Sequence, residues 1–307
     1  DRNLLFGFGP ANEIKRELLT LWNSVSFFVS YANIEGFRPS WSQLEPRAEL
    51  APLDRWLVER THELVREAEA GYEAFLTVEV MRAYQAYVDD LSNWYIRRSR
   101  PRFWEAERAA LETLWYALVQ LLRVVSPIMP FLTDHLWRNL VSDGPSSVHL
   151  ARWPEVREPD RALLDEIADV RRVVALAHQA RATSGLKLRQ PLRRLVVDGA
   201  QLAGRHGDEI AAEVRVKDVA FEPVEAELRV KPNLPVLGPR LGRELRTVQQ
   251  ALAAGEFEEL GEGRFRAAGH ELDPGDVLVE RGGREGFAVA SADGLTVALD
   301  TRLDDEL

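Results

Sequence analysis

The 307-residue chain contains no cysteine, only two methionines, and only four lysines beside 35 arginines. Without cysteine there is no disulfide, no thiolate metal ligand and no cysteine nucleophile. The near-absence of lysine reads first as the bias of a GC-rich or thermophilic genome. No apolar run approaches the ~18–20 residues that span a bilayer, so no membrane partner is expected. Motifs that carry chemistry are missing too. No glycine-rich phosphate loop opens a helix, and neither Gly-x-Ser-x-Gly nor His-Glu-x-x-His occurs. The six histidines (His62, His135, His149, His178, His206 and His270) stand alone in the sequence, so neither a metal site nor a catalytic residue is expected here. A hydrolase built from scattered His and Asp residues is therefore the weakest of the function classes.

Acid exceeds base, 49 to 39, for a formal charge of −10. Indiscriminate coating of nucleic acid is excluded, and any RNA contact must come from a local basic patch. The carboxylates offer no paired acid–base site. Asp89-Asp90 balances the arginines that follow it, and 304–306 is a solvated acidic run. Asp1-Arg2-Asn3 shows neither an initiator Met nor a signal sequence, so the expectation is a segment of a longer cytoplasmic polypeptide.

Composition changes near residue 155. All eight Trp and all six Tyr precede it, and fifteen of the twenty Gly follow it. Before it, apolar stripes at steps of three and four predict long helices. One runs through Ile14, Leu18, Leu21, Val25, Phe28 and Ala32, ending at Asn33 or Gly36. A second starts at Pro52 and buries Leu53, Leu57, Leu64, Ala68 and Phe75, with Asp54 favouring its positive N-terminal end. A third carries Val80, Tyr84, Tyr87, Val88, Leu91 and Trp94 and should stop near Pro101. Further helices are expected over 111–125 and 130–140, and again over 161–182, where Gly185 ends the last. Short strands and helices follow, with Asp293-Gly294 as a hairpin turn. The expected fold is multidomain: an antiparallel helical bundle over 1–155, a helix and connector over 156–190, and a small mixed α+β region over 191–307, as one unit or two subdomains.

The densest local feature is Leu91-Ser92-Asn93-Trp94-Tyr95-Ile96-Arg97-Arg98-Ser99-Arg100-Pro101-Arg102-Phe103-Trp104. Arg97, Arg98, Arg100 and Arg102 can neutralise phosphates beside rings, Tyr95 and Trp104, that can stack on bases. Trp94 lies on the apolar stripe and belongs to the core. The same arginines could instead dock the bundle onto another domain of the polypeptide. A second basic stretch, 181–194, has Arg181, Lys187, Arg189, Arg193 and Arg194 and no acid. Lys187 and Arg189 are its candidate RNA contacts, with a plain solvated connector as the alternative.

These residues bring a family into view. The segment 91–100 resembles the matching helix of isoleucyl-tRNA synthetases. So do Leu21-Trp22-Asn23, Leu53-Asp54-Arg55-Trp56-Leu57, Pro130-Phe131-Leu132-Thr133, Ser147-Val148-His149-Leu150, Trp153-Pro154, Arg189-Gln190-Pro191-Leu192 and Lys231-Pro232-Asn233. The resemblance is collinear over nearly the whole chain. Valyl enzymes are similar in the bundle but usually place an acid after Trp-Tyr-Ile, where this chain has Arg97. The resemblance implies a class I ligase that joins isoleucine to tRNA(Ile) with ATP and magnesium, acting as a cytoplasmic monomer. It places the catalytic motifs, the editing domain and any zinc outside this segment, which would hold the anticodon-binding bundle. The segment would bind and orient tRNA beside its own catalytic domain and do no chemistry itself. An ER-retention reading of the closing Asp-Asp-Glu-Leu is set aside on the same grounds.

Overall fold

A computed structural model of the chain describes residues 7–45, 49–224, 227–261, 263–282 and 286–302. The acidic run at 304–306 and the first three residues lie outside the described residues. The chain divides into two compact units, 1–164 and 165–307. No described helix is long and apolar enough to cross a membrane.

The first unit is a helical bundle: α1 (Phe8–Ile34), α2 (Pro52–Glu73), α3 (Thr77–Asp89), α4 (Arg97–Trp104), α5 (Arg108–Val125) and α6 (Pro130–Leu140). The apolar stripe of α1 is buried only from Leu21 onward; Ile14 is exposed, because no described element covers the first turns. Gly36, at φ 61°, ends α1 as expected, with the Phe37 N–H donating to the Ala32 carbonyl. The central α5 is apolar nearly all round and packs on α2 and α6. Phe75 departs from the expected stripe. α2 stops at Glu73, Phe75 takes the left-handed conformation that caps it (φ 57°), and its ring is 91% exposed.

Between α3 and α4 the chain makes a π-helical segment, Asp90–Ile96. The widened turn changes the helical phase, so that three successive side chains, Trp94, Tyr95 and Ile96, are all buried. Helix α2 anchors both ends of it. Arg60 donates to the Asp90 carboxylate at 2.9 Å, and the Tyr95 hydroxyl donates to Asp54 at 2.6 Å. The helix does not stop near Pro101; α4 continues through it to Trp104. Pro101 would clash with the carbonyl of Arg97, where the ladder leaves its π spacing and the regular backbone pairing is already interrupted. Just past the end of α4, Ala106 takes a left-handed conformation, φ 57°, and the Glu107 N–H reaches the Arg102 carbonyl.

Helix α7 (Arg161–Thr183) carries the boundary between the units. The second unit contains β1 (Leu192–Asp198), α8 (Gly207–Val214) and β2 (Val216–Phe221), a crossover that makes β1 and β2 parallel. The hairpin β8 (Phe287–Ala292) and β9 (Leu295–Asp300) completes a sheet of order β2-β1-β9-β8, turning at Asp293-Gly294 as expected. β9 is buried along its whole length. Between β2 and β8 lies a second small core. It comprises β3 (Glu227–Pro232), α9 (Leu234–Leu241), α10 (Leu245–Ala253), β4 (Phe257–Gly261), β5 (Arg264–Ala267), β6 (His270–Leu272) and β7 (Val277–Gly282). α9 and α10 are separated at Gly242, φ 52°.

Candidate nucleic-acid interface

The four clustered arginines do not share a surface. Arg97, Arg100 and Trp104 are three and four residues apart on α4, so they lie on one side, and all three are exposed. Arg98 lies over the indole of Trp94, 4.5 Å from its centroid. Arg102 turns inward: its guanidinium donates to Asp54 at 2.8 and 2.5 Å and to Glu107 at 2.8 and 2.7 Å. Asp54 is fully buried, in the first turn of α2, and also accepts the Tyr95 hydroxyl.

Burial, with Asp54 alongside, pushes the Tyr95 hydroxyl well above its ordinary range. The hydrogen bonds that Arg102 donates to Glu107 and then Asp54 raise its guanidinium above the ordinary value, and the Arg102 contact holds the Glu107 carboxyl below its usual value. Tyr95 and Arg102 are thus struts of the bundle. Tyr95 is completely buried and offers no ring face to a base, and Arg102 has its donors committed to two carboxylates.

Trp104 is 66% exposed, and its indole N–H donates to the Tyr31 hydroxyl at 2.8 Å. That bond, with Phe103 edge-on to Phe27 at 5.1 Å beneath, fixes an aromatic plane beside two outward cations. Arg97 is steadied by donating its Nε–H to the Asn93 carbonyl. Phosphate neutralisation next to a held ring is the arrangement that binds unstacked RNA. Tyr31, which holds Trp104, and Asp54, which draws Arg102 inward, were not among the sequence candidates. The 97/100/104 spacing was a signal in the sequence that could have separated outward from inward arginines.

The second basic stretch belongs to the other unit. Lys187 and Arg189 are exposed in the connector between α7 and β1. Arg181 is buried and donates to four carbonyls: Lys187 and Gln190 in the connector, and Val214 and Arg215 at the end of α8. Arg194 pairs with Asp218 and Glu222. So Arg181 shapes the connector, Arg194 ties β1 to acids in and just after β2, and Lys187 and Arg189 are exposed.

The histidines have ordinary surroundings. His135 stacks on Trp22, His62 lies beside Glu59, and His206 lies between Glu166 and Glu209. Among the described residues, no group of three or more His, Asp or Glu is placed to hold a metal ion.

A sequence model of the anticodon-binding domain of tRNA ligases matches residues 54–196. The match begins at the buried Asp54, includes α4 and ends in β1. The chain is similar to the isoleucine–tRNA ligase of Deinococcus radiodurans, 40% identical over 94% of this chain and 29% of that protein. It is also similar to those of Streptomyces coelicolor and Thermus thermophilus, each 37% identical over 98% of this chain and 31% and 32% of the relative. The chain thus spans about a third of the length of these relatives.

Proposed function

The chain belongs to the isoleucine–tRNA ligase family, and from that premise we propose that it binds the anticodon stem–loop of tRNA(Ile). The observation that carries the reading is the outward face of α4. There Arg97 and Arg100 present charge to phosphates while Trp104, held by Tyr31, presents a ring to a base. Lys187 and Arg189 add phosphate contacts from the second unit.

This part makes and breaks no bond. Its contribution to charging is orientation, delivering the distant acceptor end in register. The whole polypeptide would be a cytoplasmic, monomeric ligase consuming ATP with magnesium at residues outside this chain, and any zinc would lie outside it too. The Ile rather than Val assignment is supported by the names of the relatives and by Arg97 after Trp-Tyr-Ile.

The test is a titration of the chain with the tRNA(Ile) anticodon stem–loop between 50 and 200 mM salt. Binding should weaken linearly in log salt, each lost phosphate contact lowering the slope by about 0.7 to 0.9. No salt-dependent affinity for the cognate stem–loop overturns the reading. If Arg97→Ala with Arg100→Ala impairs amino-acid activation in the full enzyme without tRNA, the face docks onto the catalytic domain instead.

A further inference from the structure

A cleft of about 550 Å³ opens in the first unit, beside the C-terminal half of α5. Its principal walls are Trp41, Tyr116, Gln120, Arg123, Arg152 and Trp153. The volume is within the range of small-molecule sites.

Its walls are held in place. The Asp143 carboxylate accepts the Trp41 backbone N–H at 2.8 Å and the Ser40 hydroxyl at 2.6 Å, and Trp41 packs edge-on to Trp137 at 5.3 Å. Opposite, Trp153 stands edge-on to Tyr72, whose hydroxyl is tied to the Val124 carbonyl. Trp153 still keeps 37% of its surface open.

The charge is arranged in an unusual way. At the mouth Arg157 is committed to Glu45 and Glu155, at 2.8 and 2.7 Å. Within, the described hydrogen bonds of Arg123 go only to neutral acceptors, the Arg152 carbonyl and the Gln120 amide oxygen. Three of its five N–H groups are thus used on neutral acceptors, and none of these bonds goes to a carboxylate. Its planar face lies 5.7 Å from the Trp41 centroid. A desolvated guanidinium plane flanked by indoles attracts a flat π system.

From these contacts we infer that the cleft takes an unstacked nucleobase of the bound RNA, inserted against Trp153 and the Trp41–Arg123 pair. This rests on the RNA-binding reading and gives it a specificity-determining pocket apart from the phosphate-binding face. Arg108, Glu112, Tyr116, Gln120 and Arg123 follow one side of α5 at steps of three and four. A smaller cleft lined by Phe37, Arg38, Arg108 and Glu112 shares Glu45 with this one. Arg108 to Arg123 is fifteen residues, about 22 Å along the helix.

The experiment pairs wild-type chain and Trp153→Ala with anticodon stem–loops carrying a single abasic position, scanned through the loop. One abasic position should cost the wild type roughly 5- to 100-fold in affinity. The same position should cost Trp153→Ala almost nothing further, and Trp153→Phe should restore most of the difference. Abasic penalties that are equal in wild type and Trp153→Ala overturn the pocket while leaving RNA binding intact. Absence of binding to every stem–loop overturns the underlying reading instead. Competition by free nucleoside monophosphates that depends on Trp153, with no abasic effect, overturns the RNA source of the base.

Discussion

Arg102 and Asp54 face each other through two hydrogen bonds of 2.8 and 2.5 Å, the carboxylate wholly buried and 48 residues away in sequence. The pair fixes α4 to the first turn of α2, and Tyr95 closes it from the π-helical segment.

Breaking this pair should destabilise the bundle strongly. Arg102→Met leaves Asp54 buried with only the Tyr95 hydroxyl, and about 3 kcal/mol should be lost. Tyr95→Phe removes one hydrogen bond to a charged acceptor and should cost about 1.5 to 3 kcal/mol. Arg97→Ala and Arg100→Ala, on the outward side, should each change stability by less than about 0.5 kcal/mol. Urea unfolding of the four variants checks the order.

The outward arginines should matter for RNA instead. Arg97→Ala and Arg100→Ala together should lower the salt slope of stem–loop binding by about 1.4 to 1.8. Trp104→Ala should weaken binding by about 1 to 3 kcal/mol with the slope unchanged. Arg98, stacked on Trp94, should have the smaller effect on affinity. Fluorescence titrations at several salt concentrations separate the two behaviours.

Acid should weaken the bundle through Glu107. Its carboxyl is held below the usual range by the hydrogen bonds from Arg102, so its contribution is fully present above its unfolded value, about pH 4.3. It is lost as pH falls from there through the lower folded value. Thermal melts should therefore decline below about pH 4.3, and Glu107→Gln, which cannot titrate, should show a shallower decline.

Arg181 should govern the order of the second basic segment. Its four carbonyl partners tie the connector to the end of α8. Arg181→Ala removes all of them, leaving Lys187 and Arg189 on a looser loop. Limited trypsin digestion should cut after Lys187 and Arg189 about tenfold faster or more in this variant, equivalent to about 1.4 kcal/mol of easier local opening.

Much of the architecture was legible in local pattern. The stripes through Leu21–Ala32 and Leu164–Ala177, the cap at Gly36 and the turn at Asp293-Gly294 follow from helical period and from glycine's access to positive φ. Phe75 misled because an aromatic at helical spacing is indistinguishable in sequence from one that has taken the capping conformation. Pro101 misled because its usual effect presumes a regular ladder before it, and here a π segment precedes it. The cleft beside α5 was not legible at all, since its walls come from segments more than a hundred residues apart, Trp41 and Trp153 among them.

The sequence by itself determined the helical bundle, the α+β region after it and the family, because periodicity, caps and collinear short matches are local properties of the chain. Only the tertiary structure decided which of four adjacent arginines are available to a partner. That depends on the phase of α4, set by the π turn between Asp90 and Ile96. Its phase is fixed in turn by buried contacts to Arg60 and Asp54, 30 and 41 residues away, where desolvated charges must find partners wherever the fold places them.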